Sequence, residues 1–246
     1  MTTLEKIDAN QAKINELRPF EGHLLQQLKD YYRIGLTWSS NALEGNTLTI
    51  SETKVVLEDG LTIGGRPIRD FYETIGHGKA YDFMFSLIKR RSITVEDIKT
   101  MHRLFYRDID EENAGNWRNA QVVVSGSEYV FPKPSEIDHL MQELETWAQN
   151  ERDNYHPVEF AAILHLKFVS IHPFIDGNGR TARLIMNLAL IQDGYMLGII
   201  PPILRADYNA AIRKYQNSGQ ASIFCEFIGD RVYETQKEIM RLLHVQ

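Results

Sequence analysis

The chain has 246 residues, 43% hydrophobic and 24% charged, enough apolar material for one sizeable core without division into two domains. A formal charge of −6 and a pI near 5.8 exclude a general nucleic-acid binder, whose affinity comes mainly from Lys and Arg neutralising phosphates, and leave room only for a local basic site. The single cysteine, Cys225, rules out an intramolecular disulfide framework and a Cys-based zinc site, and no run approaches the roughly 18 apolar residues of a membrane span, so a soluble cytoplasmic protein is expected.

Apolar residues recur at helical spacing almost throughout, which predicts an all-α fold. Leu4, Ile7, Ile14 and Leu17 mark a first helix ended by Pro19, and a second spans about Phe20 to Leu43 and stops at Gly45. Ser51 is the expected cap of a short helix through Leu57, and a long helix covers Arg69 to Lys89. Thr94 with Asp97, and Ser135 with Asp138, resemble capping boxes opening helices to about Tyr106 and Gln149. Between them, two β-prone runs, Gln121 to Val124 and Tyr129 to Pro132, flank Ser125-Gly126-Ser127-Glu128 and predict a small β-hairpin. Pro157 opens a helix that delivers His172 at its end. Further helices are expected over Arg180 to Gln192, near Asp207 to Asn217, and from Ser222 to His244.

The densest chemistry lies in His172-Pro-Phe-Ile-Asp176-Gly177-Asn178-Gly179-Arg180-Thr-Ala-Arg183. Glycines opening a helix let an anion approach backbone N–H groups, where geometry and helix dipole both favour it. Arg180 and Arg183, three apart, share a helix face and suit bidentate contact with a polyphosphate. Asp176 can hold Mg²⁺, which takes one or two carboxylates plus phosphates and water. A histidine with an ordinary pKa of about 6.5 is mostly neutral at pH 7 to 8 and can accept a proton from an attacking hydroxyl. His156 and His165 form no metal-ligand pattern.

This stretch resembles the Fic-domain signature, His-x-Phe-x-(Asp/Glu)-Gly-Asn-Gly-Arg-x-x-Arg, at every defined position. The resemblance extends over most of the chain, including Gly115-Asn116-Trp117-Arg118, and implies a Fic fold: a helical bundle with a β-hairpin flap. Residues 1–60 would be N-terminal helices packed on a catalytic core of residues 61–246, one compact domain in all. It implies AMP transfer from ATP to a Tyr, Thr or Ser hydroxyl of a target protein, with release of pyrophosphate. His172 would be the base and Asp176 the Mg²⁺ ligand. Gly177, Asn178 and Gly179 would form the anion cradle, with Arg180 on phosphates and Arg183 on the γ-phosphate. Val124, Ser125, Gly126 and Ser127 would belong to the flap that holds the target by strand pairing. Tyr208 and Gln216 stand where relatives contact the nucleoside, Gln216 replacing a common Asn.

Ser40-Asn41-Ala42-Leu43-Glu44-Gly45 resembles the inhibitory motif (Ser/Thr)-x-x-x-Glu-(Gly/Asn) of many Fic proteins, whose Glu pairs with the second signature arginine. Here that pair is Glu44 with Arg183, and Ser40 sits one turn before Glu44. A carboxylate at a helix C-terminus is disfavoured by the dipole by about 0.3 to 1 kcal/mol, so a partner for Glu44 is expected. If Glu44 holds Arg183, the γ-phosphate loses its cation and the α-phosphorus is misaligned.

Two further readings stand beside an autoinhibited adenylyltransferase. The same site could remove AMP, with Glu44 orienting water; or the chain could be a catalytically silent nucleotide-binding regulatory module. The intact His172 and Asp176 speak against the last. Kinase-like Fic proteins carry Lys in place of the second cradle glycine, which is Gly179 here, whereas phosphocholine or UMP transfer is compatible with the signature. The expected partners are ATP and a target protein, with no nucleic acid or membrane. Auto-modification and a homo-oligomer are both compatible with the sequence.

Overall fold

The computed structural model describes residues 2–123 and 128–244, and its described residues contain helices and no strand. Ten α-helices follow in order: α1 (Thr3–Glu16), α2 (Gly22–Ala42), α3 (Ile50–Glu58), α4 (Ile68–Ser86), α5 (Val95–Tyr106), α6 (Ile137–Glu151), α7 (Pro157–Ile171), α8 (Asn178–Gln192), α9 (Arg205–Ser218) and α10 (Ser222–Leu242). None is long and apolar enough to cross a membrane.

The centre is the helix pair α7 and α8, joined by the signature loop. Phe160, Leu164, Leu166 and Phe168 of α7 and Leu184, Ile185, Leu188 and Leu190 of α8 are at most 1% exposed. Helices apolar on nearly every face lie inside others. A buried side chain of this size contributes about 1.5 to 3 kcal/mol, so this pair anchors the loop between its ends. Around it, α4 and α5 pack on α8, α10 on α7, and α1 along α10, while α2 lies against α3, α4 and the start of α8. One apolar cluster takes in Ile7 of α1, Leu36 of α2, Phe105 of α5 and Phe224 of α10.

Local signals account for most boundaries. Thr94 Oγ1 accepts from the Asp97 N–H at 3.1 Å, and Asp97 Oδ2 accepts from the Thr94 N–H at 3.0 Å, as the capping-box pattern predicts. Gly45, with φ 102°, follows α2. Two predicted caps are corrected. Thr49, not Ser51, caps α3: its hydroxyl accepts from the Glu52 N–H and Glu52 Oε2 accepts from the Thr49 N–H, because Glu52 stands three residues after Thr49. Ser135 caps nothing; it lies inside a short 3-10 turn, Pro134–Glu136, that leads straight into α6. The predicted hairpin has no strand in its described arms, although Gln121 Nε2 donates to Phe131 O across them at 2.9 Å. Its tip, Val124 to Ser127, lies outside the described residues.

Candidate active site

The apolar seam of α7 ends at Ile171, and His172 turns the chain out of the helix with φ 53° and ψ 59°. A left-handed conformation is costly for a residue with a Cβ and persists only where its surroundings fix it. Arg118, 2% exposed, does the fixing. Its Nε donates to His172 O at 2.8 Å and its backbone N–H to Pro173 O at 2.9 Å. Nη1 and Nη2 donate to Ala120 O and Pro132 O, so one guanidinium ties the signature loop to both arms that flank residues 124–127. The His172 Nδ1–H donates to Val169 O at 3.3 Å, which leaves Nε2 as the acceptor. Burial lowers the His172 pKa to about 4, so the ring is neutral at pH 7.

Asn178 closes the loop on itself: Oδ1 accepts from the Phe174 N–H and Nδ2 donates to Phe174 O, both at 2.9 Å. At Gly177, with φ 78°, an added Cβ would fall 2.9 Å from Phe105 Cε1 and 3.1 Å from His102 Nε2, so glycine is required by conformation and by space. His102 is a second strut. Its Nδ1 accepts from the Gly115 N–H at 2.9 Å, which commits the Nε2–H to Asp176 O at 3.0 Å, and its ring stacks on Phe174 with centroids 3.6 Å apart. Burial holds its pKa down to about 4.

The Asp176 side chain, 44% exposed, accepts from the Gly177 N–H through Oδ1 at 2.6 Å and from Arg69 Nη2 through Oδ2 at 3.0 Å. Burial acts to raise its pKa, but Arg180, the Gly177 N–H and Arg69 together hold it below the usual range. Arg180 is buried over the Phe105 ring, 4.3 Å from its centroid, with Nη1 2.9 Å from Glu73 Oε1. That approach forms an ion pair without a well-directed hydrogen bond, and Arg180 Nε and Nη1 have no hydrogen-bond partner among the described residues.

Arg183 is 2% exposed and committed on several sides. Nε donates to Ser40 Oγ at 2.9 Å, Nη1 to the Tyr208 hydroxyl at 3.1 Å, and Nη2 to Ser40 O at 2.8 Å and Glu44 Oε1 at 2.7 Å. The Tyr208 oxygen already accepts from Arg183, so its O–H donates to His165 Nε2 at 2.9 Å. Burial acts to raise the Glu44 pKa, yet the charges of Arg183 and Arg180 and the hydrogen bond to Arg183 bring it below the usual carboxylate value. Glu44 packs over the cradle: a Cβ on Gly179 would overlap its Oε1.

His172, Asp176, Gly177, Asn178, Gly179 and Glu44 line one cavity of about 330 Å³ together with Val122, Val123 and Ile175. Neither signature arginine lines it; Glu44 stands between the cavity and Arg183. A larger cavity of about 760 Å³ between α2, α3 and α10 contains none of these groups, so the polar chemistry and not size locates the site. Tyr208, 4% exposed, serves here as an anchor of Arg183 with its ring against Phe224 and Phe227, while Gln216 lies half-buried on α9. Residues Val124, Ser125, Gly126 and Ser127 are outside the described residues. The structure adds Arg69, Glu73, His102 and Arg118, of which only Arg118 lay in a stretch the sequence marked, and it gives His165, which forms no metal-ligand pattern in the sequence, a structural role on Tyr208.

Residues 92–190 match the family model described as Fic/DOC family. The curated "Protein adenylyltransferase Fic" of Drosophila sechellia is 35% identical over 234 residues, 94% of this chain and 47% of that protein, so the chain spans about half the length of the curated relatives it matches. Among solved structures, a Fic-1 fragment from C. elegans superimposes with a TM-score of 0.87 at 27% identity, covering 98% of this chain and 73% of that one. A Fic-domain-containing signaling protein from Bacteroides thetaiotaomicron gives 0.84 at 26% identity, covering 94% and 95%. The helical architecture, the signature loop at its centre and these matches agree: the chain belongs to the Fic/DOC family and has the all-helical Fic fold.

Proposed function

We propose that the chain is a protein adenylyltransferase held off by Glu44, transferring AMP from ATP to a hydroxyl of a target protein. The observation that carries this reading is the Arg183 Nη2 to Glu44 Oε1 pair at 2.7 Å, set behind a cavity lined by the base, the carboxylate and the glycine cradle. In the reaction, the target oxygen bonds to the α-phosphorus as the bond to the pyrophosphate oxygen breaks, and the hydroxyl proton passes to His172 Nε2. The Nδ1–H to Val169 O bond fixes the tautomer for that role. Val122 and Val123 border the cavity, and Val123 and Val130 are 87% and 84% exposed, which supports seating of a target segment along the flap.

Mg²⁺ fits Asp176, a partly exposed carboxylate that lines the cavity beside the cradle and whose pKa is held below the usual range. When bound it would supply charge neutralisation to the phosphates. With Glu44 on Arg183, ATP meets the cradle without its γ-phosphate partner. The remaining work of the site is positioning and charge stabilisation.

Glu44 also shares the cavity with His172, a placement that suits directing water at an AMP-modified hydroxyl, so removal of AMP by the same site is the second reading. Two labels test the first. Label in the α-phosphate of ATP should enter protein in a lysate treated with Glu44→Gly, label in the γ-phosphate should not, and His172→Ala in that background should abolish transfer. Transfer of γ-label would show kinase chemistry instead. Release of free AMP from an AMP-modified protein by the unmodified chain would favour the second reading.

A further inference from the structure

The charges beside Asp176 form a closed ring. Arg69 Nη2 lies 3.0 Å from Asp176 Oδ2, Asp176 Oδ1 3.6 Å from Arg180 Nη2, Arg180 Nη1 2.9 Å from Glu73 Oε1, and Glu73 Oε1 3.0 Å from Arg69 Nε. Three of its members are held in place. Arg180 is buried on Phe105, Glu73 Oε2 accepts from Asn46 Nδ2 at 3.0 Å, and Asp176 is fixed by the Gly177 N–H and, at Oδ2, by the Tyr106 hydroxyl at 3.4 Å. Arg69 is the surface member, with its side chain 55% exposed.

A divalent cation cannot take Asp176 Oδ2 while a guanidinium occupies it, because two like charges would then share one oxygen. Arg69 reaches its two carboxylates through different nitrogens, Nε to Glu73 and Nη2 to Asp176. Rotation of the guanidinium can therefore break one contact and keep the other. Arg69 and Glu73 are also one turn apart on α4, a spacing that holds the retained pair.

We propose that Arg69 is a positioning residue for Asp176: a tethered counter-cation that holds the carboxylate and covers Oδ2 until a metal ion takes it. It yields that oxygen to the metal and stays on Glu73. This deepens the reading of Asp176 as the metal-binding residue and rests on it. The consequence is a built-in competition: metal binding must displace Arg69, so the site is loaded at higher divalent-ion concentration than a bare carboxylate would require.

The test uses the full chain and Mn²⁺ as the probe, with free Mn²⁺ followed by electron paramagnetic resonance in the presence of ADP and every reading corrected for the Mn²⁺ that ADP binds in the absence of protein, so that binding below means the protein-dependent part. Arg69→Gln is expected to tighten Mn²⁺ binding about two- to five-fold, the range of an exposed ion pair. Arg69→Lys, which keeps the charge without the fork, is expected to fall between the two, an ordering that a merely structural role would not produce. Asp176→Asn is expected to abolish the binding. Unchanged or weaker Mn²⁺ binding in Arg69→Gln, with loss in Asp176→Asn, overturns the role of Arg69 alone. Retained binding in Asp176→Asn overturns the metal assignment and this inference with it.

Discussion

Replacing Glu44 by glycine removes the carboxylate and leaves Arg183 in place, because Ser40 Oγ, Ser40 O and the Tyr208 hydroxyl still hold three of its donor positions. The lost contact is a charge-assisted bond of 2.7 Å between a guanidinium 2% exposed and a carboxylate side chain 36% exposed. That places it between an exposed ion pair, worth about 0 to 1 kcal/mol, and a buried one, whose disruption costs about 3 to 5 kcal/mol. A value of about 1.5 to 3 kcal/mol, usual for a hydrogen bond to a charged group, corresponds to a rate increase of about 10- to 150-fold. The assay is the initial rate of auto-modification from α-phosphate-labelled ATP with Mg²⁺. Glu44→Gln, which keeps an acceptor and loses the charge, is expected to fall between wild type and glycine. A glycine variant with native helix content and a rate at or below wild type would refute the reasoning.

Other outcomes follow from the buried polar groups. Tyr208→Phe strips the oxygen shared by Arg183 Nη1 and His165 Nε2 and should cost about 1 to 3 kcal/mol, lowering the thermal midpoint by about 2 to 10 °C; an unchanged midpoint would remove Tyr208 from its anchoring role. Arg118→Lys should retain the fold but lose most of the transfer rate, since an ammonium cannot span His172 O, Ala120 O and Pro132 O; full activity in a Glu44→Gly background would contradict this. Burial lowers the pKa of His77 to about 3 and of His102 to about 4, so as pH falls below 6.5 the unfolded chain takes up protons that the folded chain refuses. Stability is thus full above pH 6.5 and declines toward pH 4, by about 2 kcal/mol for each of these histidines at pH 5. Equal urea midpoints at pH 7 and pH 5 would contradict that sign.

The helices were legible because their signals are local: Thr94 with Asp97, Pro157 at the start of α7, and Gly45 beyond α2 each act within one turn. Ser51 and Ser135 mislead because a serine near a helix start is a capping residue only when its hydroxyl faces the free N–H groups, which Thr49 does and Ser135 does not. The signature loop was legible for the same local reason, since Asn178 and Gly177 build it within a few residues. Its supports were not. Arg69 and Glu73 lie about a hundred residues before Asp176, and their charge ring exists only once α4 packs on α8. His102 gave no pattern because its role depends on Gly115 on one side and Asp176 on the other. The resemblance names Tyr208 as a nucleoside contact; the structure adds that it is buried and hydrogen-bonded to Arg183, an anchoring contact that only side-chain direction reveals.

The central claim is that Glu44 and the γ-phosphate compete for Arg183, and the ratio of ATP to ADP affinity reads that competition without any transfer. Calorimetric titration of the His172→Ala variant with Glu44 intact should give nearly equal affinities for the two nucleotides, because the γ-phosphate finds Arg183 occupied. With Glu44→Gly added, ATP should bind about ten-fold more tightly than ADP, the gain of one charge-assisted contact. A strong preference for ATP already present with Glu44 intact, and unchanged by its removal, would contradict the account.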